Sequence, residues 1–90
     1  SYIEISRPTL QDSQEIFDLY LRRIRNIKDV ATLAETASKH LFTTDKKSQV
    51  SGAMIKDIVD KACLCAIKRA INDGDNGLTY EDLIQIIDNE

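Results

Sequence analysis

Few side chains in this chain have the type and spacing that chemistry needs. There are two thiols, Cys63 and Cys65, a single imidazole, His40, a basic run of Arg22, Arg23, Arg25 and Lys28, and a polar stretch from Asn72 to Leu83 reading N-D-G-D-N-G-L-T-Y-E-D-L. Two residues apart on a helix, the thiols are turned roughly 200° from each other, so they share neither a metal nor a disulfide. One histidine and two divergent cysteines give no set of four metal ligands. They read as small packed thiols. His40 has no nucleophile or carboxylate placed beside it by local spacing and reads as a surface histidine.

The polar stretch invites comparison with a calcium loop through Asp73, Asp75, Asn76 and Gly77. Such a loop wants oxygen ligands at its positions 1, 3 and 5, glycine at 6 and a bidentate glutamate at 12. Counting from Asp73 puts Gly77 at the fifth position and Ile84 at the twelfth, so the register fails. The plainer reading is that Gly74 or Gly77 ends one helix in a left-handed conformation and Thr79 caps the next, with Asp82 three residues on. The basic run has two readings: a solvated helix end favoured by the helix dipole, or a contact surface for phosphate or an acidic partner.

The element that must position all of these is Ser51 to Ile71, reading S-G-A-M-I-K-D-I-V-D-K-A-C-L-C-A-I-K-R-A-I. Ile55, Ile58, Val59, Ala62, Ala66 and Ala70 recur at the spacing of one helical face, and no Gly or Pro interrupts them. Cys63, Leu64, Ile67 and Ile71 lie off that stripe, which predicts neighbours on more than one side. Ahead of it, Tyr2 to Ser6 reads as a short strand ending at Arg7-Pro8, too short to stand without a sheet that this chain does not supply. Thr9 or Asp12 then caps a helix over about 10 to 25, with Ile16, Phe17, Tyr20, Leu21 and Ile24 as its stripe. Asp29 caps a second helix carrying Val30, Leu33, Ala34, Ala37 and Leu41. Thr43 to Gln49 reads as a loop, and Tyr80, Leu83, Ile84 and Ile87 as the inner face of a last helix.

Ninety residues with 42% hydrophobic and 30% charged side chains make one small folded domain. A net charge of -3 argues against general affinity for nucleic acid or anionic membrane. No apolar run is long enough to span a bilayer and no signal-peptide pattern is present, so the expectation is a cytoplasmic protein. The chain begins at Ser1 without a Met, directly in the strand-like segment, and is read as a piece of something larger.

The order I-E-I-S-R-P, E-I-F-D-L-Y-L, an amphipathic helix, S-G-A-M-I opening a long helix with A-I-K near its end, then G-L-T-Y-E-D-L, resembles the C-terminal helical lid of an AAA+ ATPase of the classical clade. The S-G-A-M-I-K-D-I-V-D-K-A run looks most like the bacterial proteasomal ATPases of the ARC type. The resemblance implies an all-α fold, a small four-helix lid bundle over residues 9–90, preceded at residues 1–8 by a strand and linker from a large domain that lies outside this chain. It also implies ATP as cofactor, with magnesium and the catalytic motifs held by that large domain, so that these ninety residues alone hydrolyse nothing. Ile16 and Tyr20 match positions that pack against the adenine, and Gly52 and Ala53 the backbone that approaches it; for Ile16 and Tyr20 the alternative is core packing. Met54 stands where many AAA+ relatives carry an arginine that reaches the phosphates, which implies that this lid does not touch the γ-phosphate. Thr43 to Val50 is longer than the usual turn and lacks the small β insertion of ARC-type lids.

Partners implied by the resemblance are the chain's own large domain, neighbouring subunits of a homo-hexameric ring, protein substrates to be unfolded and, for the ARC type, a proteasome core. A reading from a different class is a free-standing helical module that binds another protein through an apolar groove.

Overall fold

The computed structural model describes residues 7–25, 27, 29–74 and 77–89. The expected strand over residues 2–6 lies outside these, as do Lys28, Asp75 and Asn76. Among the described residues there are four α-helices and one 3-10 helix, with no strand: α1 (Leu10–Leu21), α2 (Val30–Thr43), the 3-10 turn (Asp45–Gln49), α3 (Gly52–Asp73) and α4 (Tyr80–Asn89). None is long and apolar enough to cross a membrane.

Each helix begins where a short polar side chain can satisfy a free backbone N–H. Both candidates for the first start act together in a capping box: the Thr9 hydroxyl accepts from the Asp12 N–H at 3.1 Å, and Asp12 accepts from the Thr9 N–H at 3.1 Å. Asp29 accepts from both the backbone and the hydroxyl of Thr32, and these bonds hold its carboxyl below the usual range. Ser51 accepts from the Met54 N–H at 3.1 Å. Thr79 and Asp82 form a second reciprocal pair ahead of α4.

Two expectations are corrected here. Helix α1 stops at Leu21, short of residue 25, because the chain turns through Arg22–Arg25 on tight bonds from the Arg23 and Ile24 N–H groups. That turn lets Ile24 and Ile27 fold back onto the core. The stretch expected as a loop contains the 3-10 helix Asp45–Gln49, opened by the Thr44 hydroxyl and followed by Val50, which is wholly buried. A buried apolar side chain at its end and a capping threonine at its start are enough to order five otherwise polar residues.

Helix α1 packs on α2 and α3, while α4 packs on α3 and α2, so the four close a ring in the order α1, α2, α4, α3. The centre is filled by Phe17, Leu21, Leu41, Val50, Ile55, Ile58, Leu83 and Ile87, with Ala34, Ala37 and Ala62 allowing close helix approach. The predicted stripe of α3 is the buried one, from Ile55 to Ala66. Its opposite face is not covered: Leu64 is 53%, Ile67 50% and Ile71 77% exposed. Helix α3 does have neighbours on two sides, α1 and α4, and Cys63 packs on the core, but the expected cover over Leu64, Ile67 and Ile71 is not provided by this domain. On α4, Leu83 and Ile87 point inward as expected, whereas Tyr80 is exposed and Ile86 packs on the core beside them. Ile84, also expected on the inner face, is half-buried.

Candidate functional site

Helix α3 is delivered to its starting point by two extended residues, Val50 and Ser51, and Gly52 is the first residue of the helix. Val50 is anchored in the core and Ser51 caps the helix, so the Gly52–Ala53 backbone is fixed at the N-terminal end of the longest helix. Free N–H groups and the helix dipole make such an end favourable to electron-rich partners. Gly52 has no positive φ; that conformation belongs to Gly74 and Gly77. A Cβ built onto Gly52 would meet nothing within 4 Å. Neither backbone conformation nor packing inside the domain calls for glycine at this place.

The two α1 candidates, Ile16 and Tyr20, sit one turn apart and are half-buried. The wholly buried face of α1 belongs to Ser13, Phe17 and Leu21, and the pair flanks it, packed on the core with part of each side chain left open. Helices α1 and α3 are in contact. Tyr20 is within electrostatic reach of Lys56, one turn on from Gly52. Tyr20 and the start of α3 thus share one region of the surface. The four residues do not line either of the two recesses described next, and within this domain they form an open wall.

Of these two recesses, one of about 470 Å³ lies on the outer side of α1, between Leu10, Gln11, Gln14, Glu15 and Asp18. The other, of about 130 Å³, is bordered by Ile24, Arg25, Cys63, Ile67, Ala70 and Leu78 among others. It is continuous in chain position with the uncovered face of α3. Met54 is half-buried and packs on the core. Cys63 and Cys65 are free, half-buried thiols. No group of three or more His, Cys, Asp or Glu among the described residues is placed to hold a metal.

Several contacts escape any local reading. His40 Nε2 lies 2.7 Å from Asp88 Oδ1, joining α2 to the end of α4 across 48 positions. Lys46 donates to the Ile87 carbonyl at 2.7 Å, closing the 3-10 turn onto the same helix end. Arg7 donates from Nη1 to the carbonyls of Gln49, at 3.3 Å, and Val50, at 3.5 Å. The basic run is split: all three of its described arginines are exposed, and Arg22, the C-cap of α1, is paired with Asp18 at 2.7 Å.

A family described as "ARC, AAA+ ATPase lid domain" matches residues 16–90. The chain belongs to this family of AAA+ ATPase lids. It is similar to proteins called "AAA ATPase forming ring-shaped complexes": one from Corynebacterium glutamicum (strain R) is 36% identical over 98% of this chain and 20% of that protein. Another from Corynebacterium efficiens is 35% identical over 98% of this chain and 20% of its own length, and one from Corynebacterium diphtheriae is 30% identical over 98% and 21%. The lid spans about a fifth of the length of the curated relatives it matches. The matched stretch runs over 105 residues, against 90 in this lid, so the relatives carry additional residues within it. No solved structure matches the lid.

Proposed function

We propose that this chain, over residues 9–90, is the lid of a cytoplasmic, ring-forming ATPase, joined through residues 1–8 to a large domain that carries the phosphate-binding and catalytic groups. The lid covers the adenine side of bound ATP: Ile16 and Tyr20 pack against the base, and Gly52 and Ala53 bring bare backbone to it. Magnesium is held by the large domain. Nucleotide state sets the angle between lid and large domain, and contact of the lid with the next subunit of a homo-hexamer passes that state around the ring. The work done is unfolding of protein substrates, delivered in the ARC type to a proteasome core.

The observation that carries the nucleotide reading is the open space over Gly52. A glycine that its own domain does not require leaves room for a flat group arriving from outside. The test is Gly52→Val in the full-length protein. Because a Cβ there meets nothing in the lid, the fold is expected to hold while the KM for ATP rises through exclusion of the base. An unaltered KM would mean that no base packs against Gly52, and the nucleotide reading would fall.

The uncovered face of α3 supports the ring contact. Leu64, Ile67 and Ile71 follow two ion pairs, Lys56–Asp60 and Lys61–Asp57, along the outward side of the same helix. That side changes from charged to apolar halfway along, and an exposed apolar patch marks an interaction surface. The same patch would serve a free-standing interaction module. The two readings part on ATP: only the lid reading ties Gly52 to nucleotide affinity.

A further inference from the structure

We infer that Arg7 is a positioning residue for the nucleotide-facing surface, holding the two elements that carry it in fixed relation. The inference rests on the nucleotide-covering reading above. Arg7 stands three residues before Leu10, where α1 starts, and its guanidinium reaches the carbonyls of Gln49 and Val50, 42 and 43 positions away. Those are the last two residues before Ser51, the cap of α3. One side chain therefore spans from the root of α1, which bears Ile16 and Tyr20, to the root of α3, which bears Gly52 and Ala53.

Neither end of this strap is slack. On its own side, Pro8 fixes one backbone angle and the Thr9–Asp12 capping box fixes the next residues. On the far side, Val50 is wholly buried and Ser51 is bound to the Met54 N–H, so the two carbonyls point from a held segment. A charged donor shared between two held carbonyls stiffens their relative placement more than it stabilises the fold, since both lie near solvent and the bonds are long. The gain is pre-organisation: the two helices that carry the walls are held at a set spacing before a base arrives.

The experiment compares Arg7→Ala, Arg7→Lys and Gly52→Val with the unaltered full-length ATPase, measuring kcat, KM for ATP and the midpoint of thermal unfolding. Arg7→Ala is expected to raise KM about threefold, the scale of one modest hydrogen bond, with kcat and the midpoint unchanged. Arg7→Lys, which keeps a charged donor, is expected to recover part of the loss. If Gly52→Val raises KM and Arg7→Ala does not, the strap is overturned and the nucleotide reading stands. If Arg7→Ala lowers kcat and the thermal midpoint while raising KM, its role is structural and the inference fails. If Gly52→Val also leaves KM unchanged, the nucleotide reading falls and takes this inference with it.

Discussion

Arg69 on α3 grips Asp82 on α4 with both prongs of its guanidinium, Nη1 to Oδ1 at 2.6 Å and Nη2 to Oδ2 at 2.9 Å. Nη2 also donates to the Gly77 carbonyl at 2.7 Å, and Asp82 accepts in addition from the Thr79 N–H. The turn between the two helices is thus held from inside by one ion pair that also caps α4. Asp82 is 4% exposed, so its charge has little water to fall back on.

Removing either partner is expected to cost more than a surface ion pair would, because the other is left unmatched. Asp82→Ala and Arg69→Ala should each lower stability by about 2–3 kcal/mol, toward the lower end for a buried pair since Arg69 keeps a quarter of its side chain in water. Urea unfolding monitored by circular dichroism measures this. A loss near zero would show that solvent replaces the pair.

Acid should weaken the same clasp. Burial pushes the Asp82 carboxyl up, but the Arg69 and Thr79 hydrogen bonds together with the Arg69 charge outweigh it and hold it below its ordinary value. A carboxyl depressed in the folded state stabilises above its unfolded pKa, near 4, and that contribution drains as pH falls through the lower folded value. Unfolding midpoints are expected to be flat from pH 7 to about 5 and to drop below about 4. Asp29, depressed by its bonds to Thr32, acts in the same direction. In Asp82→Asn the drop should shrink.

Two buried hydroxyls work the other way. Ser13 on α1 and Ser38 on α2 are fully buried, and neither hydroxyl has a hydrogen-bond partner among the described residues. Desolvating an unmatched hydroxyl is unfavourable, so Ser13→Ala and Ser38→Ala should each stabilise the domain by about 1 kcal/mol. A thermal-shift series checks both. Destabilisation would mean that the hydroxyls fill space the methyl leaves empty.

Ring assembly should respond to the outer face of α3 without any change in folding. Leu64→Asp with Ile67→Asp replaces exposed apolar surface, so the unfolding midpoint is expected to move little, while on the proposed ring reading the full-length protein should shift from rings toward monomers in sedimentation velocity. Reversing Arg23 and Arg25 tests the basic run in the same assay; Arg22 already spends its charge on Asp18. Rings that survive both sets of changes would remove these surfaces from the contact.

The comparison of sequence with structure is sharpest at the helix ends. Thr9, Asp29, Ser51, Gly74 and Thr79 all mark ends where their chemistry says they should, because a cap is decided within three or four residues. The buried stripes of α2 and α3 were equally legible, since a helix repeats its inner face every three or four positions. Of the candidate site, Gly52, Ala53, Ile16 and Tyr20 came from resemblance, and the fold places them on helices that touch without enclosing them. Where the stripe was ambiguous the sequence misled: Leu64, Ile67 and Ile71 read as a second packed side, and Tyr80 as an inner residue, yet all four face outward. Periodicity says that a side chain is apolar, not whether another element is there to meet it.

By itself, then, the sequence determined four helices, their caps, the inner faces of α2 and α3 and the family of the whole, all of which depend on neighbours within about one turn or on a run of motif residues. Only the tertiary structure decided the pairs Arg69–Asp82, His40–Asp88 and Arg7–Val50, the ordering of Asp45–Gln49 and the bare side of α3. Those join positions from 13 to 48 apart, and a side chain's partner at such separation is fixed by how the helices close on one core, which no local spacing records.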